Sequence, residues 1–320
     1  MHCCFVRHAK YHFAITFICL LYPFVSWAET YNGKIVDSMS QYSCEIDKKQ
    51  LLNTYKNIGV YKALLYVSPC KDETPQKSLD RFGSLLRDAP ELIIPLDSAK
   101  LNYPKRFQEV SSYKGAVGMG EIIIQHARLK NNWIDFKEVE FSILNNSAIE
   151  SGLTRGYPII LHLEVYEFNE PEKKIKELEQ LLSNHPNVNF LIASFGQIKG
   201  PDIERITERH TNVFWLTGFT TGVSKVAQRK MLESGKGIVS QNWVNIFRQG
   251  RLRENWKGLI ESYPDRFLIS FYFSYPNHLK SWAPKLNKLY RSGLASLKPE
   301  TAKLVACQNA NRLFKLDITC

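Results

Sequence analysis

Short apolar and β-branched runs alternate along most of the chain with stretches in which apolar residues recur every three or four positions. The first pattern is typical of buried strands and the second of amphipathic helices. Leu92–Ile94 and Phe190–Ala193 are apolar without interruption, as expected of strands covered on both faces. The pattern predicts eight strands, at Ile35–Met39, Lys62–Val67, Glu91–Leu96, Val117–Ile124, Ile159–Val165, Val188–Ser194, Val213–Thr217 and Phe267–Phe273.

Amphipathic segments occupy intervals between these strands. Glu170–Leu182 follows Asn169, a residue type that caps helices, and Leu252–Tyr263 stops before Pro264. Thr301–Phe314 is predicted to be a closing helix. Eight strand–helix alternations over this length predict an α/β fold, a (β/α)8 TIM barrel in a single domain. An open doubly wound sheet is the alternative, although it usually needs fewer strands.

Residues 1–28 are expected to be a signal peptide rather than part of the fold. A mildly basic stretch precedes an apolar run over Phe13–Val25, and Ser26 and Ala28 then stand at the positions that a signal peptidase inspects. An uncleaved anchor is the alternative, although the run is short for a membrane span. We therefore expect a barrel domain over 29–320, periplasmic or secreted, and not bound to a membrane after signal cleavage.

Four cysteines follow the signal, and an even number in an exported chain suggests disulfides. Cys44 and Cys70 would follow the first two strands, on neighbouring loops at one end of the barrel. Cys307 and Cys320 flank the C-terminal segment. We predict these two pairs, with free thiols as the alternative. None of the spacings is that of a zinc site.

The chain is basic, with a net charge of +11, and such a balance can indicate binding to nucleic acid or anionic lipid. The charges are scattered, however, and no nucleic-acid-binding motif is present, so a solvated surface is the better interpretation. One exception is the segment 218–251, in which Glu233 is the only acid among many lysines and arginines. This segment is predicted to be a long loop after the seventh strand, either a lid or a plain solvated excursion.

Polar residues stand at the predicted strand ends, where barrels place their functional side chains. His162 and Glu164 are two residues apart, so their side chains point the same way in a strand. Glu121, His162 and Ser194 end three adjacent strands and could form an acid–base–nucleophile line, whereas Tyr272 could equally be aromatic packing. The candidate site residues are Gln41, Glu121, His162, Glu164, Ser194, Gln197 and Tyr272.

Several short motifs lie in order along the chain after the signal. They are Ile35–Ser38, Gly118–Ile122, Ile160–His162, His185-Pro186 with Phe190–Ala193, Tyr263–Phe267 and Asn309–Phe314. Their order and spacing resemble the amidohydrolase-related (amidohydrolase family 2 type) metal-dependent hydrolases over essentially the whole chain after the signal. The resemblance implies the (β/α)8 barrel and hydrolysis of C–N, ester or lactone bonds of a small molecule, or a related decarboxylation.

The resemblance also implies a metal site, which this chain departs from. Members of that family typically bind zinc through a His-x-His pair after the first strand, a His after the fifth, often a His after the sixth, and an Asp after the eighth. The matching residues here are Met39-Ser40-Gln41, His162, Ser194 and Tyr272. Only His162 keeps a usual ligand, so with Glu121 it would hold a weakly bound divalent metal, zinc by resemblance, or none.

Two functions therefore stay open, beside a purely structural or interaction role in which the barrel is only a stable scaffold. The first is an exported hydrolase-like protein, in which His162 and Glu121 carry the catalysis and the other candidate residues bind substrate. The second is a catalytically inactive barrel that binds a small anionic ligand in the vacated pocket, helped by the basic segment 218–251. A homo-oligomer is compatible with either function.

Overall fold

The computed structural model describes residues 30–68, 73–102, 107–126, 139–167, 170–218 and 244–320. The strands in these ranges are β1 Ile35–Ser43, β2 Val60–Ser68, β3 Ile93–Pro95, β4 Asp97–Asn102, β5 Phe107–Ser111, β6 Met119–Ile123, β7 Gln125–His126, β8 Val139–Glu140, β9 Ile159–His162, β10 Phe190–Ala193, β11 Val213–Leu216, β12 Phe247–Arg248, β13 Arg251–Leu252 and β14 Phe267–Leu268.

Helices follow most of the strands. A π-helical turn, Leu304–Gln308, joins Pro299–Lys303 to Asn309–Phe314 in one continuous closing helix, and another, His278–Trp282, precedes the helix that begins at Ala283. The α-helices are α1 Lys48–Ile58, α2 Pro75–Asp88, α3 Ser147–Arg155, α4 Pro171–Asn184, α5 Gly200–Arg209, α6 Glu254–Ser262, α7 Ala283–Ala295, α8 Pro299–Lys303 and α9 Asn309–Phe314.

Parallel pairing links β1, β2 and β3 in one sheet and β6, β9, β10, β11 and β14 in another. The amide of Val117 donates to the carbonyl of Pro95 at 3.1 Å, which joins the two sheets on one side. The amide of Ser38 donates to the carbonyl of Ile269 at 2.9 Å, which joins the last strand to the first on the other. The sheet is thus closed and has eight parallel strands, with β3 and β4 forming the third. The predicted barrel is confirmed, and the open sheet is wrong.

Buried apolar residues form two clusters, one on each face of the strands. Along β10, Phe190 and Ile192 belong to the larger cluster, which also contains the helix residues, whereas Leu191 belongs to the smaller one. Because side chains alternate between the two faces of a strand, the larger cluster lies between strands and helices and the smaller one fills the barrel. The uninterrupted apolar runs in the sequence follow from this two-sided burial.

Beyond its start in the third barrel strand, β4 pairs antiparallel with β5, with Ser98 opposite Ser111, where a helix was expected. The hydrophobic pattern did not predict this pairing, because β4 mixes polar and apolar residues in its sequence. The predicted helices at 170–182 and 252–263 are present as α4 and α6. Glu170, not the expected Asn169, stands at the N-cap of α4, and Asn169 lies outside the described residues.

The C-terminal tail is tied back to the barrel. Cys307 and Cys320 form the predicted disulfide, with their Cα atoms 5.7 Å apart. The side-chain amide of Asn311 donates to the carbonyl of Ile318 at 2.9 Å, and the Ile318 amide donates to the Asn311 side-chain oxygen at 3.2 Å. Ile318 also packs against the cluster inside the barrel. The tail is therefore part of the domain.

Cys44 is also disulfide-bonded, and Cys70, its predicted partner, lies outside the described residues. The predicted signal over residues 1–28 lies outside them as well, so it stays a prediction, as does the domain boundary at 29. Across the portion of the chain that the structure describes, none of the helices is long and apolar enough to cross a membrane.

Candidate functional site

Two β-bulges aim side chains at the carboxyl ends of the barrel strands. The pairing of β1 with β2 advances from Asp37 to Ser40 while the partner advances only from Ala63 to Leu65, so β1 contains one extra residue. The pairing of β6 with β9 has the same irregularity between Met119 and Ile122. An extra residue interrupts the alternation of side chains and redirects those that follow. The bulges thereby bring Gln41 and Glu121 into the barrel mouth.

His162, at the end of β9, bonds a carboxylate with each of its ring nitrogens. Nδ1 lies 2.8 Å from Oε1 of Glu121, and Nε2 lies 3.1 Å from Oε1 of Glu164. The three side chains are almost completely buried. Strand geometry explains the second contact, because residues two apart point to the same side. Three of the predicted site residues therefore form one chain of hydrogen bonds.

Two tyrosines complete this group by donating to the carboxylate of Glu121. The hydroxyl of Tyr272 lies 2.5 Å from Oε1 and 3.1 Å from His162 Nδ1. The hydroxyl of Tyr66, on β2, lies 2.6 Å from Oε2 and 3.4 Å from the side-chain oxygen of Gln41. We call these five residues, together with Glu164, the mouth network. Tyr66 is not among the predicted site residues. It lies two residues after Leu64, which faces the inside of the barrel, and this spacing could have indicated that the Tyr66 side chain points the same way.

Burial alone would lower the pKa of His162, but the charge and hydrogen bond of Glu121, followed by those of Glu164, raise it to about 10. Burial raises the pKa of Glu121, but the charge of His162 and the three hydrogen bonds that Glu121 accepts outweigh this and lower it below its ordinary value. Burial and the charge of Glu121 raise the pKa values of Tyr66 and Tyr272 well above the ordinary one. At neutral pH the network is thus an imidazolium between carboxylates, with neutral phenols donating to one of them.

The residues at the usual ligand positions do not fit a divalent metal. Each nitrogen of His162 bonds a carboxylate, so neither offers a lone pair at neutral pH. Met39 is a fully buried thioether, a neutral and soft ligand, and Gln41 offers only an amide oxygen, which Tyr66 approaches. Within the described ranges, no group of three or more His, Cys, Asp or Glu is placed to hold a metal ion.

Ser194 and Gln197 lie in a turn directly after β10. The side-chain amide of Gln197 donates to the carbonyl of Ser194 at 3.1 Å, and its oxygen accepts from the amide of Val244 at 2.8 Å. Both ends of the Gln197 amide group therefore bond the backbone, and they hold the chain at Val244 against the end of β10. Its expected part in substrate binding stays a prediction.

The backbone of this turn is left-handed, with φ angles of 50°, 56°, 59° and 50° from Ser194 to Gln197. Such a run is unfavourable for L-residues and requires support from the surroundings. Phe195 provides it, because its buried ring stacks on Trp256 at 5.2 Å and meets Phe267 edge-on at 5.8 Å. The turn packs Ser194 tightly against Gly218, where an added Cβ would lie 2.5 Å from the serine hydroxyl.

The hydrogen bonds of His162 do not favour the predicted acid–base–nucleophile line of Glu121, His162 and Ser194. A general base needs an unprotonated nitrogen that faces the nucleophile. Both nitrogens of His162 instead face carboxylates, and Glu121 holds it in the charged form. What the structure brings together is a salt-bridged network of Gln41, Glu121, His162, Glu164 and Tyr272, with Tyr66 added.

Comparison with known proteins shows which solved structures have a similar architecture. No family model matches the chain, and no curated protein matches it. Among solved structures, an amidohydrolase from Burkholderia multivorans with bound zinc has a TM-score of 0.50, with 89% of this chain and 100% of that chain covered and 9% identity. The chain has the same barrel fold as this structure.

Two further structures agree. An uncharacterized TIM-barrel protein from Bordetella bronchiseptica has a TM-score of 0.52 at 10% identity, covering 88% of this chain and 99% of that one. Dihydroorotase from Saccharomyces cerevisiae, in complex with 5-fluoroorotic acid, has a TM-score of 0.52 at 13% identity, covering 89% and 85%. At such identities the likeness establishes the fold alone.

Proposed function

We propose that this chain is an exported barrel of the amidohydrolase-related type that binds a small polar molecule at its mouth and has lost metal-dependent hydrolysis. The observation that carries the proposal is the pairing of both His162 nitrogens with carboxylates. His162, the one residue that matches a usual metal ligand, is thereby engaged in a salt bridge with Glu121 and another with Glu164.

The charge of the network supports the same proposal. Carboxylates buried at a barrel mouth need a cation or several donors to be tolerated. The imidazolium of His162 supplies a positive charge, and the phenols of Tyr66 and Tyr272 supply donors to Glu121. A metal ion would have to displace these contacts and take a proton from a histidine whose pKa is about 10.

The ligand is proposed to be polar and small. Gln41 is only partly buried and presents its amide at the mouth, and Tyr272 is partly exposed beside it. Binding of an anion would draw on the basic segment 218–251, in which Arg248 and Arg251 are exposed and residues 219–243 lie outside the described ranges. The network itself, with two carboxylates and one imidazolium, would favour ligands that donate hydrogen bonds.

Hydrolysis of C–N, ester or lactone bonds is the second candidate, favoured by the fold shared with an amidohydrolase and a dihydroorotase. It would require a water-activating group other than a metal. The two candidates are separated by metal content and by turnover.

Metal content is the first test. The protein is expressed with its own signal and purified, and its metal content is measured by mass spectrometry. The variant His162→Ala is compared with His185→Ala, a control at a helix-to-strand turn. We expect far less than one metal ion per chain in all variants. Near-stoichiometric zinc, manganese or iron that is lost in His162→Ala but kept in His185→Ala would overturn the proposal. The same intact mass tests export, since a cleaved signal leaves Glu29 at the N-terminus.

Binding and turnover are the second test. Native mass spectrometry of gently purified protein should detect a bound small molecule that is absent from Gln41→Leu and retained in Gln180→Leu, an exposed position on α4. A panel of esters, lactones and amides should show no turnover above buffer. Turnover that disappears in His162→Ala would favour the hydrolase instead.

A further inference from the structure

The seam where the last barrel strand meets the first is closed partly by side chains instead of backbone carbonyls. The amide of Phe271 donates to Oδ1 of Asp37 at 2.9 Å, and the amide of Phe273 donates to the hydroxyl of Ser40 at 2.9 Å. The Ser40 hydroxyl in turn donates to Oδ2 of Asp37 at 2.6 Å. The extra residue of the β1 bulge lies in this stretch, between Asp37 and Ser40. The two side chains provide acceptors where a bulged strand disrupts the regular ladder.

These bonds have a consequence for Tyr272, which lies between the two phenylalanines. Its own amide also donates to the first strand, to the carbonyl of Met39 at 3.2 Å. In a regular strand, consecutive amides point to opposite neighbours, so only alternate amides can reach one partner. Here three consecutive amides, from Phe271 to Phe273, all reach β1. The backbone must reverse the direction of its amides at Tyr272 for all three to point to β1, and the φ of Tyr272 is accordingly left-handed, at 55°.

We propose that Asp37 and Ser40 are positioning residues that hold Tyr272 in this conformation and so keep its hydroxyl on Glu121. The phenol reaches Glu121 at 2.5 Å and the ring nitrogen of His162 at 3.1 Å from that backbone geometry. A left-handed tyrosine is unfavourable by itself and persists only where its surroundings over-determine it. This proposal does not depend on whether the mouth binds a ligand or catalyses a reaction.

A further bond to the same carboxylate offers a matched control. The hydroxyl of Tyr55, on α1, donates to Oδ2 of Asp37 at 2.8 Å and is fully buried. It contacts the carboxylate and the Ser40 hydroxyl from the helix side, whereas the amides of Phe271 and Phe273 donate to Asp37 and Ser40 themselves. Tyr55→Phe should therefore disturb the surroundings of Asp37 and the stability of the barrel without releasing Phe271 or Phe273.

The test measures two quantities by NMR on the full chain: the resonance of Tyr272, labelled with 13C at Cζ, and the apparent pKa of His162. The variant Tyr272→Phe assigns the Tyr272 resonance. It also shows how the apparent pKa of His162 changes when that hydroxyl is removed. We expect Ser40→Ala to shift the Tyr272 resonance and to change the His162 pKa in the same direction as Tyr272→Phe. Ser40→Thr, which keeps the hydroxyl, should restore both values. Tyr55→Phe should lower the melting temperature while leaving both values as in the wild type.

If Ser40→Ala does not fold, Ser40→Cys serves instead, since a thiol of similar size is a much weaker acceptor. The proposal is overturned if the serine variant is destabilised but retains the Tyr272 resonance and the His162 pKa of the wild type. It is also overturned if Tyr55→Phe moves those two values as far as the serine variant does, because the effect would then be general loosening of the core.

Discussion

The two sides of this barrel differ in regularity. Strands β9, β10 and β11 pair in continuous parallel register, and their apolar side chains are buried on both faces. The seam between β14 and β1 has a bulge, a left-handed tyrosine and backbone amides bonded to Asp37 and Ser40. Regular pairing with dry packing supplies stability, whereas irregular backbone with buried polar groups aims side chains into the mouth. The difference indicates that damage to one side should be separable from damage to the other.

The largest effect is expected on the regular side. Phe190→Ala removes a fully buried ring from β10 and should lower the free energy of unfolding by about 3–5 kcal/mol, through lost burial and the cavity left behind. Urea denaturation measures this change. The pKa of His162, followed by NMR, should stay as in the wild type. A large shift of that pKa would show that the two sides are not separable.

The next effect concerns the imidazolium. The folded pKa of His162 is raised to about 10, above the ordinary value near 6.5, so its stabilisation is complete below about pH 6.5. It is lost as pH rises through about 10, at up to roughly 1.4 kcal/mol per pH unit. Urea denaturation between pH 7 and pH 10 should show this decline in the wild type and not in His162→Gln. Equal slopes in the two proteins would contradict the salt-bridged state.

Asp37 should give a smaller pH dependence at the seam. Burial is the main cause that raises its pKa to about 6, although four hydrogen bonds act in the opposite direction. Because the folded pKa exceeds the unfolded one, its contribution is present below about pH 4 and is lost as pH rises through 6, by about 3 kcal/mol. Asp37→Asn should remove this decline between pH 4 and pH 6. A variant that keeps the full decline would assign it to another group.

The smallest effect is expected at Tyr66. Tyr66→Phe deletes one donor to a buried carboxylate and should lower the free energy of unfolding by about 1.5–3 kcal/mol, since hydrogen bonds to charged groups are stronger than neutral ones. Tyr290→Phe, which deletes a buried hydroxyl bonded to two backbone carbonyls, is the matched neutral case and should cost about 0.5–1.5 kcal/mol. If the two losses are the same, the charge on Glu121 does not contribute.

The hydrophobic pattern could predict the barrel because burial on both faces leaves uninterrupted apolar runs such as Phe190–Ala193. It could also place His162 and Glu164 on one side of a strand, from their separation of two residues. The pattern could not predict the pairing of β4 with β5, where polar and apolar residues mix. Gln197 shows a second limit, because the pattern did not predict that a polar residue at a strand end would bond the backbone on both sides.

The sequence by itself determined the number and order of the barrel strands, the disulfide of Cys307 with Cys320, and the departure from the metal ligands that the resemblance implies, because these depend on local composition and residue identity. Only the tertiary structure decided what His162 does. Glu121 lies 41 residues from it along the chain and Tyr272 lies 110 residues away. The bulge that turns Glu121 toward His162 adds one residue without leaving a mark in the hydrophobic pattern. Charge state and metal fit follow from those contacts, so they could be read only from the folded chain.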